Sequence, residues 1–220
     1  MPPVVELTEK TATWTVGHVG PTYAGGDMYD AALPKVDRPM PHSPDDVLHF
    51  WFEELEPAQW WQKDTELDRR IAERFGELHA RACQGELFAW RSTPRGRLAE
   101  VIVIDQFSRN IHRDSAAAFA ADGMALALAQ EAVAGGHDAE LSTTEKAFLY
   151  LPYMHSESAR IHEEAVRLYS APGLEYNLEF EHKHKVIIDR FGRYPHRNAI
   201  LGRRSTPEEI DFLKGPDSSF

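Results

Sequence analysis

From Ser43 onward, the hydrophobic residues of this chain recur every three or four positions, which is the spacing of a helix with one buried face. The pattern is clearest between residues 64 and 83, where the apolar positions are Leu67, Ile71, Phe75 and Leu78. Similar stripes predict helices from Ser43, after Pro94, over about 119–134, from Ser142, over 157–170, over 174–191 and from Thr206. Because short loops join them, we expect an all-α protein of antiparallel helical hairpins.

Two local features bear on where these helices begin and end. The run 101–104 is apolar enough for a buried strand, but the polar residues that follow it fall at helical spacing and favour a helix. Pro152 should kink or end the helix that begins at Ser142. His155 is then expected in a turn before the next helix, with Ser156 as the cap of that helix and Glu157 in its first turn.

The first 42 residues follow a different pattern. Residues 11–16 alternate in the manner of a strand, and the segment then becomes rich in glycine and proline, which oppose long helices. We predict an extended arm over residues 1–42, with a short hairpin as an alternative, ahead of a helical domain over residues 43–220.

Composition narrows the classes of function. The net charge of −11 disfavours binding to the phosphate backbone of DNA or RNA. Cys83 is the one cysteine and cannot form an internal disulfide, so a reducing compartment is favoured. The chain shows neither the apolar length of a membrane span nor the start of a secretion signal. We therefore expect a cytoplasmic protein that acts without nucleic acid or membrane.

Several strings stand in a recognisable order, namely Val47–Phe52, Trp60–Asp64, Ile104–Ile111, Tyr150–Glu157, Arg190–Asn198 and Leu201–Thr206. In order and spacing they resemble a bacterial domain-of-unknown-function family, number 924. The resemblance covers about residues 43–220 and implies an all-helical, tetratricopeptide-like fold, but no biochemical function. Ser108 replaces the proline usual in the family, and a serine fits a continuous helix better.

The polar residues in these strings are the candidates for chemistry. Asp105 and Arg109 lie four apart, so they can form a solvated salt bridge, or a buried pair in which the carboxylate orients the arginine toward an anionic ligand. Asn110 adjoins them. His155 could be a general base, a metal ligand or a hydrogen-bonding strut, and Glu157 is near it. His184 is expected as a core histidine or a ligand contact.

The strongest local charge is basic. Between His182 and Arg204 there are seven lysines and arginines and one acid. Gly192 allows a left-handed turn in this segment, and Pro195 makes it rigid. Such arginines either bind an anion or neutralise the acidic remainder of the chain. The candidates here are Arg190, Arg193, His196, Arg197 and Asn198, and Trp61 is a candidate pocket wall.

Two functions remain open. In the first, Asp105, His155, Glu157 and His196 act on a small anionic molecule, which the arginines, Asn110, His184, Asn198 and Trp61 hold. In the second, the chain is a tetratricopeptide-like interaction module that binds an acidic partner or peptide. The cofactor stays unknown. His155, Glu157, His184 and His196 are of types that bind a metal, but their spacing matches no known motif, so no metal site is predicted. Whether the protein is an enzyme stays open.

Overall fold

A computed structural model of the chain describes residues 40–216 and 218. Its α-helices are α1 (Pro44–His49), α2 (Thr65–Cys83), α3 (Pro94–Ile102), α4 (Ser108–Ile111), α5 (Asp122–Ala134), α6 (Thr143–Met154), α7 (Ala159–Tyr169), α8 (Glu175–Phe191) and α9 (Pro207–Phe212). Within the described residues there is no strand. The predicted all-α class is confirmed, and the helices form a compact bundle. The arm expected over residues 1–42 lies almost wholly outside the described residues.

Helix starts follow the local chemistry of the sequence. The Ser142 hydroxyl accepts a hydrogen bond from the Glu145 backbone, and the Glu145 carboxylate accepts one from the Ser142 backbone, which completes a capping box. Thr206 and Glu209 repeat this arrangement at α9. At the other end of a helix, Gly192 terminates α8 with a φ of 67°, a conformation that costs glycine little.

The centre of the bundle is one continuous helical segment. α3 passes through a π-helical turn, Val103–Phe107, and continues as α4. Residues 101–104 are fully buried, and α3 packs against α1, α5 and α6. A helix surrounded in this way needs apolar side chains on every face, which is why this run also had the composition of a buried strand.

The helix that begins after Ser142 ends near Pro152, as predicted, but the start of the next helix was predicted wrongly. α6 runs through Pro152 and ends two residues later, at Met154, with His155 as its C-cap. Near the end of a helix a proline removes one backbone hydrogen bond without disturbing a following turn, and Pro152 is also buried. α7 begins only at Ala159, after an N-cap at Ser158. Ser156 is therefore not a cap, and Glu157 lies in a loop before the helix.

The fourth predicted helix also starts later than expected. A 3₁₀ turn, Ala116–Phe119, precedes α5, which begins at Asp122. The segment Ala116–Ala134 is the one span in the described residues that is long and apolar enough to cross a membrane by composition, with a mean hydropathy of 1.2. Its helix α5 alone is about 20 Å long, short of the roughly 30 Å of a bilayer core. α5 packs on α3 and α6 through Ala125, Ala129 and Ala132.

Arg91→Met should lower the free energy of unfolding by about 2–3 kcal/mol. Arg91 binds both carboxylate oxygens of Glu100 at 2.7 Å, and Glu100 is fully buried in α3, so the substitution leaves a buried charge without its partner. Denaturant unfolding measures the change. Arg167→Met, which removes an exposed pair with Glu164, is the control and should change stability by under about 1 kcal/mol. Equal effects would contradict the prediction.

Candidate functional site

The site begins with a buried carboxylate, Asp105, in the π-helical turn. Asp105 is 1% exposed. One of its oxygens accepts a hydrogen bond from Gln106 Nε2 at 2.6 Å, and the other lies 2.8 Å from His155 Nδ1 and 3.1 Å from Arg109 Nη1. Arg109 Nη1 also donates to the Asp105 carbonyl at 2.7 Å. π-Helical turns are frequent at functional sites, and this one carries the residue to which the nearby polar groups bind.

These contacts set the charges of the pair. Burial would raise the pKa of Asp105, but the positive charge of Arg109 and the hydrogen bond from His155 outweigh it and hold that pKa below its usual range. Burial and the charge of Arg109 lower the pKa of His155, although Asp105 opposes them. His155 is therefore neutral near pH 7. With Nδ1–H donating to Asp105, its Nε2 carries a lone pair and can accept a proton.

Arg109 links this pair to a second carboxylate, Asp122, the first residue of α5. Arg109 Nη2 donates to Asp122 Oδ2 at 3.1 Å, and Asp122 Oδ2 also lies 3.4 Å from Arg197 Nη1. The pKa of Arg109 is raised: burial opposes this, but the charges of Asp105 and Asp122 prevail. Arg109 is thus satisfied by two carboxylates, whereas Arg197 has one long contact with Asp122.

Arg197 is a buried and poorly paired cation. Its side chain is 8% exposed, and its guanidinium lies 4.6 Å from the ring centroid of Phe119 and 4.5 Å from that of Tyr194. Arg197 Nε has no hydrogen-bond partner among the described residues. Burial and the neighbouring charge of Arg109 lower the pKa of Arg197. A buried guanidinium with so few partners is suited to an added anion.

Arg197 and His155 line one pocket of about 280 Å³, between the start of α5, the end of α6 and the loop after α8. Among the described residues, His155 Nε2 has no hydrogen-bond partner, and the side chain is 16% exposed. The other lining residues are Phe119, Asp122, Gly123, Leu126, Pro152, Ser156, Glu157 and Leu201. The lining of the pocket therefore includes both polar and apolar side chains.

Glu157 fixes the loop that carries Arg197. Its carboxylate binds Arg203 at 2.5 and 2.8 Å and accepts a hydrogen bond from the Tyr194 backbone N–H at 2.8 Å. Burial would raise the pKa of Glu157, but these donors hold it below its usual range. Both carboxylate oxygens are thus occupied, and Glu157 reads as a charged strut that lines the pocket rather than as a proton donor.

Tyr194 is the packing centre of this side of the domain. It is fully buried, and its hydroxyl donates to the Met154 carbonyl at 2.5 Å. Its ring centroid lies 5.8 Å from that of His184 and 5.4 Å from that of His196. These two histidines therefore pack against Tyr194, in the loop that carries Arg197. Neither of them lines the pocket.

The remaining candidates lie elsewhere. Asn110 binds Asp68, Arg193 binds Glu209, and Asn198 binds Ser205 and Arg203. Arg190 stacks on Phe191 and Phe212, and Trp61 stacks on Phe148 at the surface. Arg190 and Arg193 therefore follow the alternative prediction: Arg193 neutralises an acid, and Arg190 packs on aromatic rings within the fold. Of the twelve candidates, Asp105, Arg109, His155, Glu157 and Arg197 are brought together.

Sequence reasoning missed Asp122 and Tyr194. Asp122 has the sequence pattern of an ordinary acid in the first turn of a helix. Local spacing therefore gives no sign of its contact with Arg197, 75 residues further along the chain. Tyr194 stood in the basic loop, where the charges drew attention away from an aromatic residue before a proline. In the described residues no group of three or more His, Cys, Asp and Glu side chains is arranged to hold a metal ion.

The fold and the site together define a helical-bundle protein with an Asp–His pair and an underpaired arginine on one pocket. A family model described as a bacterial protein of unknown function (DUF924) matches residues 47–217, so the chain belongs to that family. It is also similar to the solved structure of a protein of unknown function, ATU0120 from Agrobacterium tumefaciens, with 37% identity and a TM-score of 0.74. The match covers 78% of this chain and 97% of that one. A comparison with curated proteins finds no match.

Asp105→Asn should destabilise the protein by about 3 kcal/mol, because it keeps the shape of the side chain but removes the charge that Arg109 and His155 both use. Equilibrium unfolding in denaturant measures the change. Asp189→Asn, which removes the exposed partner of Lys185, is the matched control and should cost under about 0.5 kcal/mol. A loss for Asp105→Asn no larger than that of the control would show that the buried network is not a structural requirement.

Stability should fall as the pH drops from 7 toward 4. Burial lowers the pKa of His184 to about 3 and those of His79 and His196 to about 4, and His155 is shifted in the same direction. Between these values and the unfolded value of about 6.5, the unfolded chain binds more protons than the folded one. The stabilising contribution is therefore complete above about pH 6.5, and each such histidine adds a slope of about 1.4 kcal/mol per pH unit below it.

Unfolding free energies at pH 7, 6 and 5 test this expectation. The slope should decrease in His184→Gln, with the native state checked by circular dichroism. It should stay unchanged in His49→Gln, whose side chain is 57% exposed. A wild-type stability that does not change between pH 7 and pH 5 would contradict the assignment of buried neutral histidines.

Proposed function

We propose that the pocket between α5, α6 and the Arg197 loop binds a small molecule carrying a negative charge, and that His155 exchanges a proton with it. The observation that carries the proposal is Arg197, a buried guanidinium with one contact at 3.4 Å and an unpartnered Nε, on the same pocket as the unpartnered Nε2 of His155. Burying a charge with so few partners costs stability, and a bound anion would compensate for that cost.

The arrangement of His155 supports acid–base work. A carboxylate behind Nδ1 fixes the tautomer and the ring orientation, so that Nε2 is presented as a base. Asp105 would stabilise the imidazolium that forms when Nε2 takes up a proton. Among the described residues that line the pocket, Ser156 is the one serine, cysteine or lysine that could act as a nucleophile. Its hydroxyl has no activating contact in the described residues.

An interaction module with a tetratricopeptide-like fold remains the second reading. α7 packs on both α6 and α8, as successive helices do in such repeats. A basic surface hollow formed by Phe50, Arg70, Glu73 and Arg74 could receive an acidic peptide. However, Glu54 already pairs with both arginines there, and Glu73 pairs with Arg69. The charges of that hollow are balanced, so the Arg197 pocket carries the first proposal.

We also propose that the protein acts in the cytoplasm. Cys83 is exposed and unpaired, which fits a reducing environment such as the cytoplasm. A small-molecule pocket needs neither a membrane nor a nucleic acid for its role, and the net charge of −11 is in keeping with that.

Binding of short carboxylates, from acetate to hexanoate, should be detectable by calorimetric titration and should be lost in Arg197→Met. The variant should fold at least as stably as the wild type, because it removes a buried charge with few partners and keeps most of the apolar volume. Arg160→Met, at an exposed position of α7, is the control and should bind as the wild type does.

The same titration also measures proton uptake on binding. A bound anion should raise the pKa of His155, so the wild type should take up protons on binding at pH 6, measured by the difference in heat between two buffers of different ionisation enthalpy. His155→Asn should bind without proton uptake. Carboxylate binding that survives Arg197→Met would refute the binding site, and proton uptake that survives His155→Asn would refute the role of His155.

A further inference from the structure

The charged groups on the pocket wall are of both signs. Arg197 contributes a positive charge with one long contact, and Asp122 contributes a negative charge that Arg109 and Arg197 share. The negative charge of Glu157 is already paired with Arg203, and His155 is neutral. A ligand with negative charge alone would bind Arg197 but would lie beside the Asp122 carboxylate. A ligand with positive charge alone would leave the buried guanidinium uncompensated. A ligand that carries both charges on neighbouring atoms complements the whole wall.

The spacing of these charges is short. Arg197 Nη1 and Asp122 Oδ2 are 3.4 Å apart, and the two side chains line the pocket together. In an α-amino acid the ammonium and the carboxylate are attached to one carbon, so they are also neighbours. Such a molecule can place its carboxylate on Arg197 and its ammonium on the adjacent acid without separating its own charges.

The apolar lining residues and the volume of the pocket restrict the rest of the ligand. Phe119, Leu126, Pro152 and Leu201 give an apolar surface, which favours an apolar side chain. A volume of about 280 Å³ is at the lower end of ligand pockets and suits a single amino acid. Leucine and residues of similar size would fill it with the branched side chain against Leu126 and Leu201.

We propose that the ligand of this pocket is a free α-amino acid with an apolar side chain, bound through its carboxylate to Arg197 and through its ammonium to Asp122, with Glu157 as the second nearby carboxylate. The inference rests on the proposed function of the same pocket and names its substrate class. His155 lines the same pocket, so the proton that its Nε2 exchanges would belong to the ammonium group.

A series of three compounds that differ by one charged group tests the inference on the full-length protein. L-leucine carries both charges, 4-methylpentanoate lacks the ammonium and 3-methylbutylamine lacks the carboxylate. Calorimetric titration should give a Kd for L-leucine at least about tenfold lower than for either analogue, since one added ion pair in a partly buried site is worth about a factor of ten. L-alanine and L-phenylalanine, titrated in parallel, define the size that the apolar wall accepts.

Asp122→Asn should weaken L-leucine by about tenfold and leave 4-methylpentanoate unchanged or tighter, because it removes the partner of the ammonium and one charge that repels the carboxylate. Asp211→Asn, at a side chain 82% exposed, is the control. Should Asp122→Asn fail to fold because Arg109 and Arg197 lose their shared carboxylate, the three-compound series in the wild type decides alone.

The outcomes separate the two proposals. If 4-methylpentanoate binds as tightly as L-leucine, the amino-acid inference is wrong and the anion pocket stands. If the amine binds best, both are wrong. If none of the amino acids binds while short carboxylates do, the inference again fails by itself, and if nothing in either panel binds, both proposals fail.

Discussion

A single buried negative charge, that of Asp105, organises this side of the molecule. It lies in the centre of the helical bundle, where an uncompensated carboxylate would cost several kcal/mol. Gln106, Arg109 and His155 all turn toward it, and each is held in one orientation as a result. Because Arg109 must also satisfy Asp122, the same charge positions the first turn of α5. The pocket wall is in this sense a consequence of one ionised group in the core.

The network becomes less well satisfied as it approaches the pocket. Asp105 has three partners and Arg109 has two carboxylates, but Arg197 has one contact at 3.4 Å and an orphaned Nε. Structural ion pairs in the same chain are much tighter, as with Arg203 and Glu157 or Arg193 and Glu209. A gradient from satisfied to unsatisfied groups is what is expected where a ligand completes the coordination of a binding site.

The chain shares its fold with a solved Agrobacterium protein, but a shared fold says nothing about chemistry. What can be argued about function comes from the site. An imidazole fixed from behind by a carboxylate, beside an underpaired guanidinium, combines a base with an anion binder on one small pocket. The amino-acid inference adds only the observation that carboxylates stand beside that guanidinium.

Local sequence patterns are enough to predict the helices and most of their ends. The stripe from Leu67 to Leu78, the capping box at Ser142 and the left-handed glycine at Gly192 act within a few residues, so their effects can be read from local spacing. The sequence also drew attention to Asp105, Arg109, His155, Glu157 and Arg197. It could not rank Arg197 above Arg193, because the two are alike in type and setting along the chain.

Which polar groups meet depends on contacts between residues that are far apart in the chain. His155 reaches Asp105 across 50 residues and Arg197 reaches Asp122 across 75, and such pairings depend on how the helices pack rather than on any local pattern. The exact end of α6 also depends on packing, because the sequence predicted only a kink or an end near Pro152. Packing of α6 within the core keeps the helix intact for two more residues, and so places His155 at its end, facing Asp105.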